Sequence, residues 1–194
     1  MNIKNQLKSV AIKAATEAGK LLMENIDGLK SAEIQSDAYA NPTTKIDSQS
    51  ERKIVEIIKA VFPEHAFLGE ELGKIESDSQ YKWIIDPIDG TSNYVAKRDT
   101  FSVSIGLEHQ GEIILGVVYL PKIDEIFVAE KNNGATLNGK AIHISGANDL
   151  AKAVVTYSTY PGTEKLKAAD FDKKILEAIP QVKFFGFGDN GAVD

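Results

Sequence analysis

The chain has 194 residues and a mass of 21.1 kDa, the size of one domain with room for a second layer. Hydrophobic residues make up 43% and charged residues 26%, which excludes disordered, collagenous and coiled-coil chains. The absence of cysteine excludes a disulfide framework, a thiolate zinc site and a cysteine nucleophile together, and it fits a reducing, cytoplasmic compartment. Twenty-two Lys and Arg against 28 Asp and Glu leave a formal net charge of −6. With no basic stripe in the sequence, nucleic acid is not the expected partner. No run approaches the roughly 18 apolar residues of a membrane span, and the lysine-broken N-terminus does not read as a signal peptide.

Leu7, Val10, Ala11, Ala14, Ala15, Ala18, Leu21 and Leu22 recur at three and four, which predicts an amphipathic helix over 2–26. The polar stretch 30–42 reads as a loop with a short extended piece. A second helix is expected over 48–61, capped by Asp47 or Ser48, with Glu51 in its first turn and Ile54, Val55, Ile57, Ile58 and Val61 as its buried stripe. Strands follow over 66–68 and 82–86. Phe101, Val103, Ile105 and Leu107 then alternate with polar or small residues, the period of a strand with one buried face. Further strands are expected over 113–120, 125–129, 135–137 and 140–144, the last two joined by the hairpin dipeptide Asn138-Gly139. Beyond residue 149 the pattern predicts a strand over 154–157, a loop at Pro161-Gly162, a helix over 164–179 and a strand over 182–185. The expected fold is a layered α/β (α+β) one. Residues 1–145 form an antiparallel sheet flanked by helices and carrying the chemistry. Residues 146–194 begin a second α/β unit, incomplete because a strand placed so near the last residue leaves an open edge.

The segment 83–93, Trp-Ile-Ile-Asp-Pro-Ile-Asp-Gly-Thr-Ser-Asn, is the most informative. An apolar strand delivers Asp86, and Asp followed by Pro favours a type I turn that brings Asp86 and Asp89 together. Gly90 permits close backbone approach, and Thr91 or Ser92 opens a short helix. Gly69-Glu70-Glu71 adds acids on another turn, and Asp47 stands at the mouth of the second helix. Each stretch also has an ordinary reading: turn chemistry for Asp86-Pro-Ile-Asp-Gly, a solvated pair for Glu70-Glu71, a helix cap for Asp47. If the acids gather, two charges about 4 Å apart repel by roughly 4 kcal/mol at an effective dielectric near 20. Such a cluster takes up protons or a divalent cation. All-oxygen ligands favour Mg2+, with Mn2+ or Ca2+ as substitutes. His65, His109 and His143 are widely spaced and read as packing or surface residues. Gly186-Phe-Gly188-Asp-Asn-Gly191 matches a dinucleotide fingerprint in letters only, since neither the following helix nor the distant acid is present.

In order and spacing, Thr44-Lys45-Ile46-Asp47, Gly69-Glu70-Glu71 and Trp83 to Tyr94 resemble the inositol monophosphatase family of Mg2+-dependent, Li+-sensitive phosphatases. The likeness continues through Phe101 to Gly106, Gly116 to Tyr119 and Gly134 to Gly139, and covers residues 5 to 194. The resemblance implies a sugar-phosphatase-like fold, a homodimer, and Mg2+-dependent hydrolysis of inositol monophosphate. It also leaves 3′(2′),5′-bisphosphate nucleotidase and fructose bisphosphatase activity as alternatives. It implies Glu70, Asp86 and the Ile88 carbonyl as ligands of a first Mg2+, Asp86 and Asp89 as ligands of a second, and Glu71 as an accessory acid. Thr91 and Asp47 would be catalytic, orienting and deprotonating the attacking water, while Asp89, Gly90 and Thr91 bind the substrate. Two departures stand out. Asn41 replaces the first aspartate of the family's D-x-V-T-x-x-D stretch, with Pro42 and Thr43 beside it, and the later tryptophan-aspartate motif is missing. A C-terminally truncated relative that binds metal or self-associates with little turnover is therefore a further alternative.

Overall fold

The computed structural model describes residues 2–29, 34–35, 43–146, 148–149, 154–157, 173, 177 and 184–187. Helix α1 spans Ile3–Asn25, where Asn2 caps it by accepting from the Lys4 amide at 3.2 Å. Its buried face is rich in alanine: Ala11, Ala14, Ala15 and Ala18 are fully enclosed. These small side chains let α1 lie close against its neighbours. Strand β1 (Ile34–Gln35) pairs antiparallel with β2 (Thr43–Thr44), and the chain passes from β2 straight into α2, Lys45–Lys59. The helix thus begins three residues before its expected start. Asp47 lies within the first turn rather than at the cap, and Glu51 falls in the second turn. Ile54, Val55 and Ile58 form the buried stripe as expected, whereas Ile57 is half-buried and Val61 is exposed.

Eight strands form one sheet: β3 (Ala66–Gly69), β4 (Lys74–Ile75), β5 (Tyr81–Asp89), β6 (Ser102–His109), β7 (Glu112–Leu120), β8 (Glu125–Glu130), β9 (Gly134–Leu137) and β10 (Lys140–Ile142). Their order is β10-β9-β8-β7-β6-β5-β3-β4. From β5 to β10 the chain is an antiparallel meander, but β3 pairs parallel to β5, so the sheet is mixed. Between β5 and β6 lies the short helix α3, Thr91–Val95. A separate parallel pair joins β11 (Val154–Tyr157) to β12 (Phe184–Phe187), two residues later than the expected last strand. Of the helix expected over 164–179, Lys173 and Glu177 are helical and the rest lies outside the described residues, as do Asn41, Pro42, the Pro161-Gly162 loop and the stretch 188–194.

The core lies between the α1–α2 pair and one face of the sheet, where Trp83, Ile85, Val103, Ile105, Leu107 and Val117 meet Leu22, Ile54 and Ile58. Tyr94 ties α3 into this core: its ring packs edge-on against Phe101 at 5.0 Å and its hydroxyl donates to the Leu22 carbonyl at 2.9 Å. Along the sheet, Phe62, His65, Tyr81 and His109 stack in sequence, and the Trp83 indole donates to His65 Nδ1 at 3.0 Å. Both histidines are packing residues, and His143 is exposed.

Close approach of α1 to the sheet requires Gly19. A Cβ there would stand 2.4 Å from the Tyr119 ring, whose hydroxyl is held by Asp124 at 3.0 Å. Replacing a helical glycine by alanine ordinarily gains up to about 1 kcal/mol in propensity. Overpacking a fixed ring costs about 1–3 kcal/mol. We therefore expect Gly19→Ala to lower the thermal midpoint; a rise in calorimetry would show that the ring yields freely.

Candidate active site

The parallel pairing of β3 with β5 decides where the acids meet. Gly69 is the register partner of Ile85, so Glu70, the first residue after β3, stands beside Asp86, which is still within β5. Adjacent strands lie about 4.8 Å apart. The two side chains are within hydrogen-bonding reach of each other, which favours the protonated form of Asp86.

The expected type I turn after Asp86 is not formed. Instead β5 runs on to Asp89 through a bulge: Asp86 faces Ser104 and Asp89 faces Ser102, with two residues intervening on β5 and one on β6. Pro87 has no amide hydrogen to give to a ladder, and a bulge is where a strand tolerates it. In a regular strand, residues three apart point to opposite faces. The extra residue brings Asp86 and Asp89 onto one face and sends Ile88, which is 1% exposed, into the core. Asp86 Oδ1 accepts from the Ile88 amide at 3.1 Å, which fixes the bulge locally. Gly90, in the left-handed region at φ 82°, turns the chain from the bulge into α3 and holds its cap position, and Thr91 opens that short helix as expected.

One face of α2 is fastened to both acid-bearing segments. The single Thr91 hydroxyl hydrogen has two acceptors in reach, the Ile88 carbonyl at 2.9 Å and the Asp47 carboxylate, 2% exposed, at a long 3.4 Å. Ser50 Oγ donates to the Pro87 carbonyl at 3.3 Å. On the other segment, Ser48 Oγ donates to Glu71 Oε2 at 3.0 Å. The Glu51 carboxylate accepts the amides of Glu71 at 2.7 Å and Leu72 at 3.1 Å. Sequence reasoning gave Glu51 no part in the site. The available signal was its spacing, four residues after Asp47 and so on the same helix face.

Burial, then the charges of Glu70 and Asp89, push the Asp86 carboxyl from an ordinary 3.8 to about 8. Glu70 is also raised, first by desolvation, although its bond with Asp86 opposes this. Glu51 is raised by burial, against the two amide bonds it receives. Ser102 Oγ, on the residue opposite Asp89, is buried without a hydrogen-bond partner among the described residues. Among those residues, no group of three or more His, Asp or Glu side chains is already arranged to hold a metal ion. A cavity of about 670 Å³ lies elsewhere, lined by Leu7, Lys8, Tyr81, His109 and Glu130 at the opposite end of β5. Among the described residues no helix is long and apolar enough to cross a membrane.

The chain has relatives among known proteins. The model of the inositol monophosphatase family matches residues 4–192, and the chain belongs to that family. It is 40% identical over 156 residues to a fructose-1,6-bisphosphatase/inositol-1-monophosphatase of Aquifex aeolicus, covering 80% of this chain and 59% of the relative. A Nus factor SuhB of Pasteurella multocida is 35% identical over 153 residues, covering 78% and 57%. Among solved structures, the extragenic suppressor protein suhB of Bartonella henselae superposes with a TM-score of 0.86 at 30% identity, covering 97% of this chain and 72% of that one. The chain thus spans somewhat under two thirds of the length of these curated relatives, and its α/β fold is part of the larger family fold.

The raised Asp86 carboxyl has a consequence for stability. Between its unfolded value near 3.8 and its folded value of about 8, the folded state holds the extra proton, so stability falls as pH rises through that window. Without divalent cations, we expect the thermal midpoint to drop from about pH 5 to about pH 8. Asp86→Asn removes the charge and should raise the midpoint at the alkaline end while flattening the profile. A midpoint that climbs with pH in the wild type would contradict the assignment.

Proposed function

We propose that the chain carries the acid cluster and nucleophile-activating pair of a Mg2+-dependent phosphate monoester hydrolase acting on inositol monophosphate. The carrying observation is the pairing of Gly69 with Ile85 together with the bulge after Asp86, which gathers Glu70, Asp86 and Asp89 beside the Thr91–Asp47 bond. The donor set fits a hard cation. It is all oxygen, it crowds negative charge, and it includes an unpartnered hydroxyl at Ser102 next to Asp89. Mg2+ binds through one or two carboxylates and keeps several waters, so a preformed cage of three side chains is not required. Glu70, Asp86 and the Ile88 carbonyl would hold one ion, and Asp86 with Asp89 a second. The Ile88 oxygen has two lone pairs, which leaves one for Thr91.

When bound, Mg2+ supplies positive charge that offsets the acids and makes nearby water more acidic. That charge also lets a chain of net charge −6 accept a dianionic phosphate. The chain's own residues do the rest. Thr91 Oγ1 accepts a proton from the attacking water while its own hydroxyl proton passes to the Asp47 carboxylate, which orients it. The long 3.4 Å separation is of the kind that tightens when substrate arrives. Asp89 and the backbone amides of Gly90 and Thr91 position the phosphate, and Glu71 supports the cluster from the rim. Water replaces the alkoxide on phosphorus, and the alcohol leaves with a proton. Residues 1–145 form the unit that bears this chemistry, and residues 146–194 begin a second α/β unit. Inhibition by Li+, a homodimer and a cytoplasmic location belong to the same proposal.

The name of the Aquifex relative supports fructose 1,6-bisphosphate as a second substrate. The alternative reading is a cation-binding unit that turns over little. We expect inorganic phosphate release from inositol monophosphate in Mg2+, with smaller release from fructose 1,6-bisphosphate and adenosine 3′,5′-bisphosphate. Thr91→Ala should reduce kcat about 100- to 10,000-fold, the usual range for loss of proton transfer, while Mn2+ binding is kept. No release from any of the three, with Mn2+ still bound, would select the cation-binding reading instead.

A further inference from the structure

We propose that Glu51 is a positioning residue, holding the Glu70–Leu72 turn so that the Glu70 carboxylate meets Asp86 in a cation-ready arrangement. The inference rests on the reading of this cluster as a divalent-cation site. Glu51 is 1% exposed and sits on the rigid second turn of α2. Both of its oxygens are used: Oε2 accepts the Glu71 amide and Oε1 the Leu72 amide, at 2.7 and 3.1 Å. The turn is therefore pinned at the two residues that follow Glu70. Four residues earlier on the same face, Asp47 engages Thr91, so one helix sets both halves of the site against a common edge.

Gly69 gives an independent sign that the carboxylate must come this close. A Cβ on Gly69 would stand 1.7 Å from Glu51 Oε1 and 2.3 Å from its Cδ, so only glycine fits between β3 and the buried acid. The backbone just before Glu70 is thus shaped to admit Glu51. Its position on the sheet is fixed as well, because Gly69 pairs with Ile85 and its amide donates to the Gly73 carbonyl at 2.9 Å. A glutamine at position 51 keeps the volume but offers one acceptor and one donor group, which leaves one of the two amides facing another donor.

The test compares Mn2+ binding to the full 194-residue chain by electron paramagnetic resonance with amide hydrogen exchange at Glu71 and Leu72. For Glu51→Gln we expect at least a tenfold weaker Mn2+ affinity and faster exchange at these two amides, with the amides of α1 and β6 unchanged. Phosphate release should then recover at saturating metal, the signature of a shifted ligand rather than a lost catalytic group. Gly69→Ala, which displaces the same carboxylate from the other side, should give the same pair of changes and add little when combined with Glu51→Gln. It also serves as the second variant should the first fail to fold. Faster exchange at Glu71 and Leu72 with unchanged Mn2+ affinity would overturn the positioning role alone and leave the cation site standing. A wild-type chain that binds no Mn2+ would overturn both.

Discussion

Like charges do not gather unless something stronger holds them, and here that something is backbone pairing. In the eight-stranded sheet β3 and β5 are the parallel pair, and parallel strands run toward the same edge. The register Gly69–Ile85 therefore sets Glu70 beside Asp86 whether or not their carboxyls repel. At about 4 Å and an effective dielectric near 20, that repulsion is roughly 4 kcal/mol, a large fraction of a small domain's net stability. The core beneath offsets it: Trp83, Ile85 and Ile88 from β5 are all but completely buried, and the bulge adds Asp89 to the cluster without removing Ile88 from the core. Proton uptake by Asp86 is the fold's own answer to the crowding. A cation is the other.

Helix α2 carries the arrangement from the core to the site on one stripe. Residues 47, 51, 54 and 58 recur at helical spacing and all are buried, but the stripe changes character along its length. Ile54 and Ile58 are packed into the apolar core, whereas Asp47, Ser50 and Glu51 hold Thr91, the bulge and the Glu70–Leu72 turn. The same rigid rod that is anchored by hydrophobic burial at one end thus spaces polar contacts at the other. Placing a site on a helix and two strand ends, rather than on free loops, gives its side chains little room to drift.

Much of this was legible in the sequence because periodicity and turn chemistry are local signals. The alanine face of α1, the alternation over Phe101 to Leu107 and the Asn138-Gly139 hairpin each predict the element that forms. The acid-bearing stretches could be singled out by their order and spacing together, while each alone also reads as a turn, a solvated pair or a cap. Long-range pairing was not legible. Nothing within Asp86-Pro-Ile-Asp distinguishes a type I turn from a bulge; the partner strand β6, with Ser104 and Ser102 opposite the two aspartates, makes that choice. The early start of α2 likewise depends on β2 pairing with β1. Glu51 resembled an ordinary helix glutamate because its partners, the Glu71 and Leu72 amides, lie 20 and 21 residues away in sequence.

The acids and the carbonyl of the proposed cation site lie between Glu70 and Asp89, the Ser102 hydroxyl stands opposite Asp89, and the supports begin at Asp47. The most direct measurement of the central claim is an anomalous-difference map from crystals of this chain soaked in Mn2+. The expected result is a peak bounded by the Glu70 and Asp86 carboxylates and the Ile88 carbonyl oxygen. A map with no density there, from crystals whose Mn2+ is found on other residues, would contradict it.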